Sequence, residues 1–226
     1  MDPATGKAIN LMRTRIKICG LTRANDIDQA VKLGVDALGF VFYPPSKRFL
    51  TPDQATTLCS DLPAFVSTVA LFVNPQAADV HAVLKTMRPS LLQFHGDETP
   101  EQCHAYDVPY LKAFRVGAPG LDTPALLAQH CAQYEHAAGW LFDSYTPEYG
   151  GSGQTFDYSL LAELSALGSG CRPCIMSGGL TELSVGQAIT IARPWAVDVS
   201  SGVEDAPGIK SAQRMQSFVS AVLQAG

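Results

Sequence analysis

No stretch of this 226-residue chain approaches the roughly 18 consecutive apolar residues that a membrane-spanning helix needs. Nor does the segment Met1 to Thr14 contain the continuous apolar core of a secretory signal, and its few arginines speak against an organelle-targeting peptide. It reads as a poorly ordered extension, residues 1–14, ahead of one catalytic domain, residues 15–226, in a cytoplasmic protein. Charge is also scarce. Charged residues make up 16% of the chain and the net charge is -5, which argues against general affinity for nucleic acid or an anionic membrane. An anionic small molecule stays open, because a local pocket can oppose the global charge. Cys171 and Cys174 are spaced as CxxC, but no second CxxC or CxxH completes a zinc site, and no His and acidic residues have zincin spacing. The pair runs into the strand-like Ile175-Met176 rather than a helix, so a thioredoxin-type role is disfavoured. The six cysteines read as free thiols, and neither metal nor cofactor is expected.

What the chain has in quantity is core material, 46% of its residues. Eight short apolar runs alternate with helical stretches. The strands are expected at Ile16 to Cys19, Ala37 to Phe42, Phe65 to Val73, Leu91 to Phe94, Tyr110 to Val116, Trp140 to Asp143, Pro173 to Met176 and Trp195 to Val199. Helices should begin near Asn25, Pro52, Pro75, Thr99, Pro124, Asp157, Thr181 and Ile209, with Thr99 an N-cap and Pro100 at the first helical position. The sixth of these is expected to run from Asp157 to Leu167 and the last from Ile209 to Leu223. Strands this continuously apolar are buried on both faces, and helical crossovers make them parallel. Eight such units in about 210 residues predict an α/β fold, a single-domain (β/α)8 TIM barrel. A doubly wound open sheet is the alternative, although the early GxGxxG common in that class is absent.

In such a barrel chemistry belongs to the carboxyl ends of the strands. There the sequence places Cys19, Arg48, Asn74, His95, Arg115 and Asp143, then Ser177-Gly178-Gly179 and Ser200-Ser201-Gly202. The last two are glycine loops of the kind that lets backbone N–H groups approach a phosphate, after the two strands that usually carry that site. Gly150 to Gly153 after the sixth strand could close the same pocket, with Gly153 a third backbone donor. The planar fork of Arg48 suits a second anion, a carboxylate, though a solvated loop fits its sequence equally well. His95 reads as a hydrogen-bonded residue of the rim. Cys19 and Asp143 remain as the ionisable pair across the mouth. A carboxylic acid in a closed pocket can deliver a proton near neutrality, and a thiol can serve as the opposing base once ionised. Acid and base across a phosphate-holding pocket suit an isomerisation by proton transfer. Period-two alternation also puts Lys17 on the face of Cys19, and Asp198 on the face of Ser200. The first and eighth strands are neighbours in a closed barrel, so Lys17 and Asp198 should pair inside it, set a cation beneath the thiol and favour its thiolate.

The ordered motifs K-I-C-G-L-T, G-F-V-F-Y-P-P-S-K-R, Q-F-H-G, L-F-D-S, P-E-Y-G-G-S-G, S-G-G-L and V-D-V-S-S-G-V-E resemble those of the phosphoribosylanthranilate isomerases of tryptophan biosynthesis, from about Arg15 to the end. The resemblance implies conversion of N-(5-phosphoribosyl)anthranilate to 1-(2-carboxyphenylamino)-1-deoxyribulose 5-phosphate by an Amadori rearrangement. It makes Cys19 the general base and Asp143 the general acid, and gives the substrate carboxylate to Arg48. The phosphate goes to the backbone near Gly153, Gly178, Gly179, Ser200 and Ser201, with His95, Asp198 and Gly202 among the substrate-binding residues. The partner expected is therefore a small phosphosugar, with a monomer favoured. Two rivals are weighed beside this reading. The related histidine-pathway isomerase performs the same rearrangement on a nucleotide-like substrate, but its family uses an aspartate where Cys19 stands and has two halves that resemble each other, which these do not. A non-catalytic phosphate-binding barrel would bind phosphosugar without turnover.

Overall fold

The computed structural model describes residues 13–145 and 155–225. Eight parallel strands close into a barrel in sequence order: β1 (Arg15–Cys19), β2 (Ala37–Val41), β3 (Ser67–Phe72), β4 (Leu91–Phe94), β5 (Tyr110–Val116), β6 (Gly139–Ser144), β7 (Cys174–Met176) and β8 (Ala196–Val199). The α-helices are α1 (Ala24–Lys32), α2 (Pro52–Cys59), α3 (Ala77–Thr86), α4 (Pro100–His104), α5 (Pro124–Ala132), α6 (Val185–Ala192) and α7 (Ala212–Ala225). Three Thr-Pro pairs mark helix starts. Thr51, Thr99 and Thr123 each accept a backbone N–H from the third residue of their helix, while the proline occupies a position whose own N–H would have no helical partner.

Two connections depart from the expected helices. After β6 the chain forms 3₁₀ turns at Tyr158–Leu161 and Leu164–Gly170. Asp157 caps Ser159 N, but the helix formers between Leu160 and Leu167 do not extend into an α-helix, and Gly168, with a φ of +56°, breaks the second turn. Beyond β8, Ile209 and Lys210 do not start the last helix. They form strand β10 (Ile209–Lys210), antiparallel to β9 (Glu204–Ala206), with Pro207-Gly208 at the turn. At the amino end, Arg13 grips Asp36 through two hydrogen bonds of 2.8 and 2.6 Å, and Thr14 is buried. These last two residues of the expected extension are thus tied to the barrel, and residues 1–12 lie outside the described residues.

The barrel builds two cores. Outward-facing Phe40, Phe72, Phe94, Phe114, Phe142 and Trp140 pack against the helices, all essentially fully buried. Inside, Val69, Leu111, Ala113, Leu141, Ile175 and Ala196 plug the lower end. The apolar plug fills the lower interior, and Cys19, Gln93, Asp143 and Asp198 face the cavity above it. No helix among the described residues is long and apolar enough to cross a membrane.

Candidate active site

Strand alternation decides which side chains reach the upper interior. On β1 the inward residues are Lys17 and Cys19, and on β8 Asp198 is register partner to Lys17. The expected pair is present. Lys17 Nζ lies 2.9 Å from Asp198 Oδ1, with both side chains buried. Burial opposes the charge on Lys17, yet Asp198 and Cys19 together hold its pKa above the ordinary lysine value. The effect on the thiol differs from the expectation. Burial pushes the Cys19 thiol up, and Asp198 adds to it, while Lys17 and Lys210 only partly counter them. The cation is in place, but the resting site does not favour the thiolate. A Lys17→Met variant leaves Asp198 buried and unpaired. It should lose about 3–5 kcal/mol of stability, read as a lower midpoint in urea denaturation.

The thiol fits because Gly39, its neighbour across the β1–β2 ladder, has no side chain. A Cβ there would stand 2.7 Å from Cys19 Sγ. Gly178 does the same for the carboxylate. Its φ of +77° is a left-handed conformation, and a Cβ at that position would press on Ser144 and come within 2.8 Å of Asp143 Oδ1. Asp143, near the end of β6, accepts from Ser144 N at 2.8 Å and meets His95 Nε2 at 3.0 Å. His95 Nδ1 in turn lies 3.0 Å from the side-chain nitrogen of Gln93.

Arg48 does bind a carboxylate through its fork, but that carboxylate is Glu204. The Nε and Nη2 donors reach the two Glu204 oxygens at 2.8 and 2.6 Å. Glu204 holds the arginine's pKa above its usual value. The carboxylate is itself shared with Lys210, whose Nζ is 2.8 Å from Oε1 and also donates to Ser200 O. Burial opposes its charge, but Arg48 and Lys210 bring the Glu204 pKa below the ordinary range. Burial lowers the Lys210 pKa in spite of Glu204. The Nε–Nη2 edge of the Arg48 guanidinium is thereby occupied, leaving the N–H groups of Nη1 and the second hydrogen of Nη2 to meet a ligand anion.

One cavity of ≈ 130 Å³ collects ten of the residues singled out from the sequence: Cys19, Arg48, His95, Asp143, Gly178, Gly179, Asp198, Ser200, Ser201 and Gly202. Gly153 lies outside the described residues. Val41, Tyr43, Leu71 and Val73 add an apolar wall on the side of β2 and β3. Sequence reasoning missed three members of the polar framework. Gln93 was legible, since alternation from His95 points it inward. Glu204 stood within a quoted motif but without a role. Lys210 had no signal, because only the β9–β10 hairpin brings it back to Glu204. Among the described residues no cluster of three or more His, Cys, Asp or Glu side chains is arranged to hold a metal ion.

A cavity that gathers a thiol, a carboxylate, an arginine and two glycine loops after β7 and β8 suits a small anionic ligand. The model of the family N-(5'-phosphoribosyl)anthranilate isomerase matches residues 16–221. The chain belongs to this family. The phosphoribosylanthranilate isomerase of Bordetella petrii is 59% identical over 214 residues, covering 95% of this chain and 97% of that protein. The isomerase of Pseudomonas putida is 46% identical, covering 95% of this chain and all of that protein. Among solved structures, the Thermotoga maritima isomerase superposes with a TM-score of 0.83 at 38% identity, covering 93% and 99% of the two chains. Another phosphoribosylanthranilate isomerase, at 34% identity and a TM-score of 0.80 with coverage of 93% and 99%, was crystallised with reduced 1-(o-carboxyphenylamino)-1-deoxyribulose 5-phosphate.

Proposed function

We propose that this isomerase performs the Amadori rearrangement of N-(5-phosphoribosyl)anthranilate with Asp143 as general acid and Cys19 as general base. The observation that carries the assignment is their meeting in one cavity, from β6 and β1, beside the two glycine loops. The acid protonates the ribose ring oxygen. The C1′–O bond breaks as the anthranilate nitrogen lone pair forms the Schiff base. The Cys19 thiolate then takes the C2′ proton, and electrons move into the C1′–C2′ bond to give an enolamine. Uptake of a proton at C1′ and loss of one from the C2′ hydroxyl complete the ketose. Hydrogens are redistributed within one molecule, and no net proton or electron is needed.

Arg48, held by Glu204, is assigned the anthranilate carboxylate through Nη1. The backbone near Gly178, Gly179, Ser200, Ser201 and Gly202 is assigned the phosphate, with Gly153 as a further donor. A ligand carrying both a carboxylate and a phosphate, as in the liganded relative, supports dividing the site this way. Lys17 and Asp198 set the field under the thiol. All of these groups belong to one chain, so a monomer would carry a complete site, and the free state of all six thiols fits a cytoplasmic compartment.

The test is direct. Purified protein mixed with N-(5-phosphoribosyl)anthranilate should extinguish the substrate's fluorescence catalytically. Binding with no turnover would replace the enzyme by a ligand-binding barrel.

A further inference from the structure

Gln93 is wholly buried on β4 and spends its amide in an uneven way. Its nitrogen lies 3.0 Å from His95 Nδ1, while its Oε1 is a buried acceptor with no hydrogen-bond partner among the described residues. Leaving such an oxygen unpaired in a buried site is unfavourable. The arrangement is therefore sustained by what the other end of the amide does. We propose that Gln93 is a positioning residue that fixes the tautomer of His95 and so keeps the proton of Asp143 directed into the pocket. The proposal rests on Asp143 as the acid.

Donors and acceptors decide the tautomer. A neutral imidazole has one N–H and one bare nitrogen. With the amide N–H on Nδ1, the imidazole proton must sit on Nε2, and Nε2 then donates to Asp143 Oδ2 across 3.0 Å. Ser144 N donates to the other oxygen at 2.8 Å. Both of these partners are donors, so neither can draw off a proton that Asp143 carries. In the opposite tautomer a bare Nε2 would face Oδ2 and accept that proton, holding it away from substrate. The same two donors also stabilise the carboxylate that remains after the proton has been given up.

Other charged and titratable groups reach this region from several elements. Cys19 from β1, Arg48 from the loop after β2 and Asp198 from β8 line the same cavity. Arg115, register partner of Asp143 on β5, is engaged by Asp97 at 3.2 Å. Gln93 is the group that meets Nδ1, so the tautomer is set from that side.

Gln93→Glu tests this with almost no change of shape, because it replaces the N–H facing Nδ1 by an acceptor. Nitrogen NMR of histidine-labelled, full-length, ligand-free protein reads the tautomer without reference to activity. The wild type should carry the His95 proton on Nε2, and Gln93→Glu should place one on Nδ1. In the same variant kcat should fall about 10²-fold, the lower end of what general acid catalysis supplies, with KM within about threefold and an altered pH–rate profile. Gln93→Met, which offers neither donor nor acceptor, should mix the tautomers and fall between the two in kcat. It serves as the second arm should the glutamate variant not fold. A wild-type proton on Nδ1, or a Gln93→Glu enzyme with wild-type kcat and pH profile, overturns the proposal. Failure of Asp143 as the acid would instead show as retained turnover in Asp143→Asn, with the His95 tautomer unaltered.

Discussion

Asp143→Asn is expected to reduce kcat by about 10²–10⁴-fold, the range general acid catalysis supplies. The substitution is nearly isosteric and preserves one carbonyl oxygen, which can still accept from Ser144 N or His95 Nε2. The fold and the pocket should therefore survive, and KM should change far less than kcat. What disappears is the only side chain that this reading gives a transferable proton at the ribose ring oxygen. Without it the C1′–O bond must break to an unprotonated alkoxide, and the Schiff base forms slowly. A preparation of the open-chain Schiff base, or a substrate analogue already ring-opened, should recover a large part of the lost rate. The measurement is steady-state turnover of N-(5-phosphoribosyl)anthranilate with matched thermal melts. Wild-type kcat in a folded variant would remove Asp143 from the mechanism.

The parts of this molecule that could be read in advance are those governed by local periodicity. Continuous apolar runs gave the eight strands, and Thr-Pro pairs located helix starts at Thr51, Thr99 and Thr123. Alternation and barrel closure together located the Lys17–Asp198 pair, since Cβ direction on a strand follows residue parity. What escaped depends on longer-range packing. The stretch from Asp157 to Leu167 has helical spacing and helix-forming leucines and alanines, yet it forms two 3₁₀ turns, the second broken at Gly168. Ile209 and Lys210 look like a helix start, yet pairing with β9 costs them that role and delivers Lys210 to Glu204. Arg48 shows the limit most clearly. Its preference for a carboxylate is a property of the residue type, whereas the identity of that carboxylate depends on a hairpin more than 150 residues away. The sign of the thiol's shift likewise required knowing that burial outweighs two nearby lysines.

That shift makes the behaviour of Cys19 specific. Cys19→Ala should lose about 10²–10⁴-fold in kcat, because no other side chain assigned to the pocket is placed to take the C2′ proton. Ring opening by Asp143 should continue in this variant, so rapid mixing should show the Schiff base accumulating where the wild type passes through it. The pH dependence follows from counting protons. Catalysis needs one proton on Asp143 and none on Cys19, so the pair carries one proton in total. That singly protonated pair persists up to the pH at which the buried thiol titrates, and its share in the active arrangement is constant along the plateau below that edge. Since burial raises the thiol, the upper edge of this plateau moves outward. Wild-type kcat/KM should stay level beyond pH about 8.5, where an ordinary thiol titrates, and fall only above it, as titration of the thiol removes the pair's last proton. Should the plateau end well below that pH, the thiol would not be the group that closes it. The raised value carries a kinetic advantage as well as a cost. Fewer molecules hold the thiolate at neutral pH, but each thiolate is a stronger base, poised against a carbon acid that needs one.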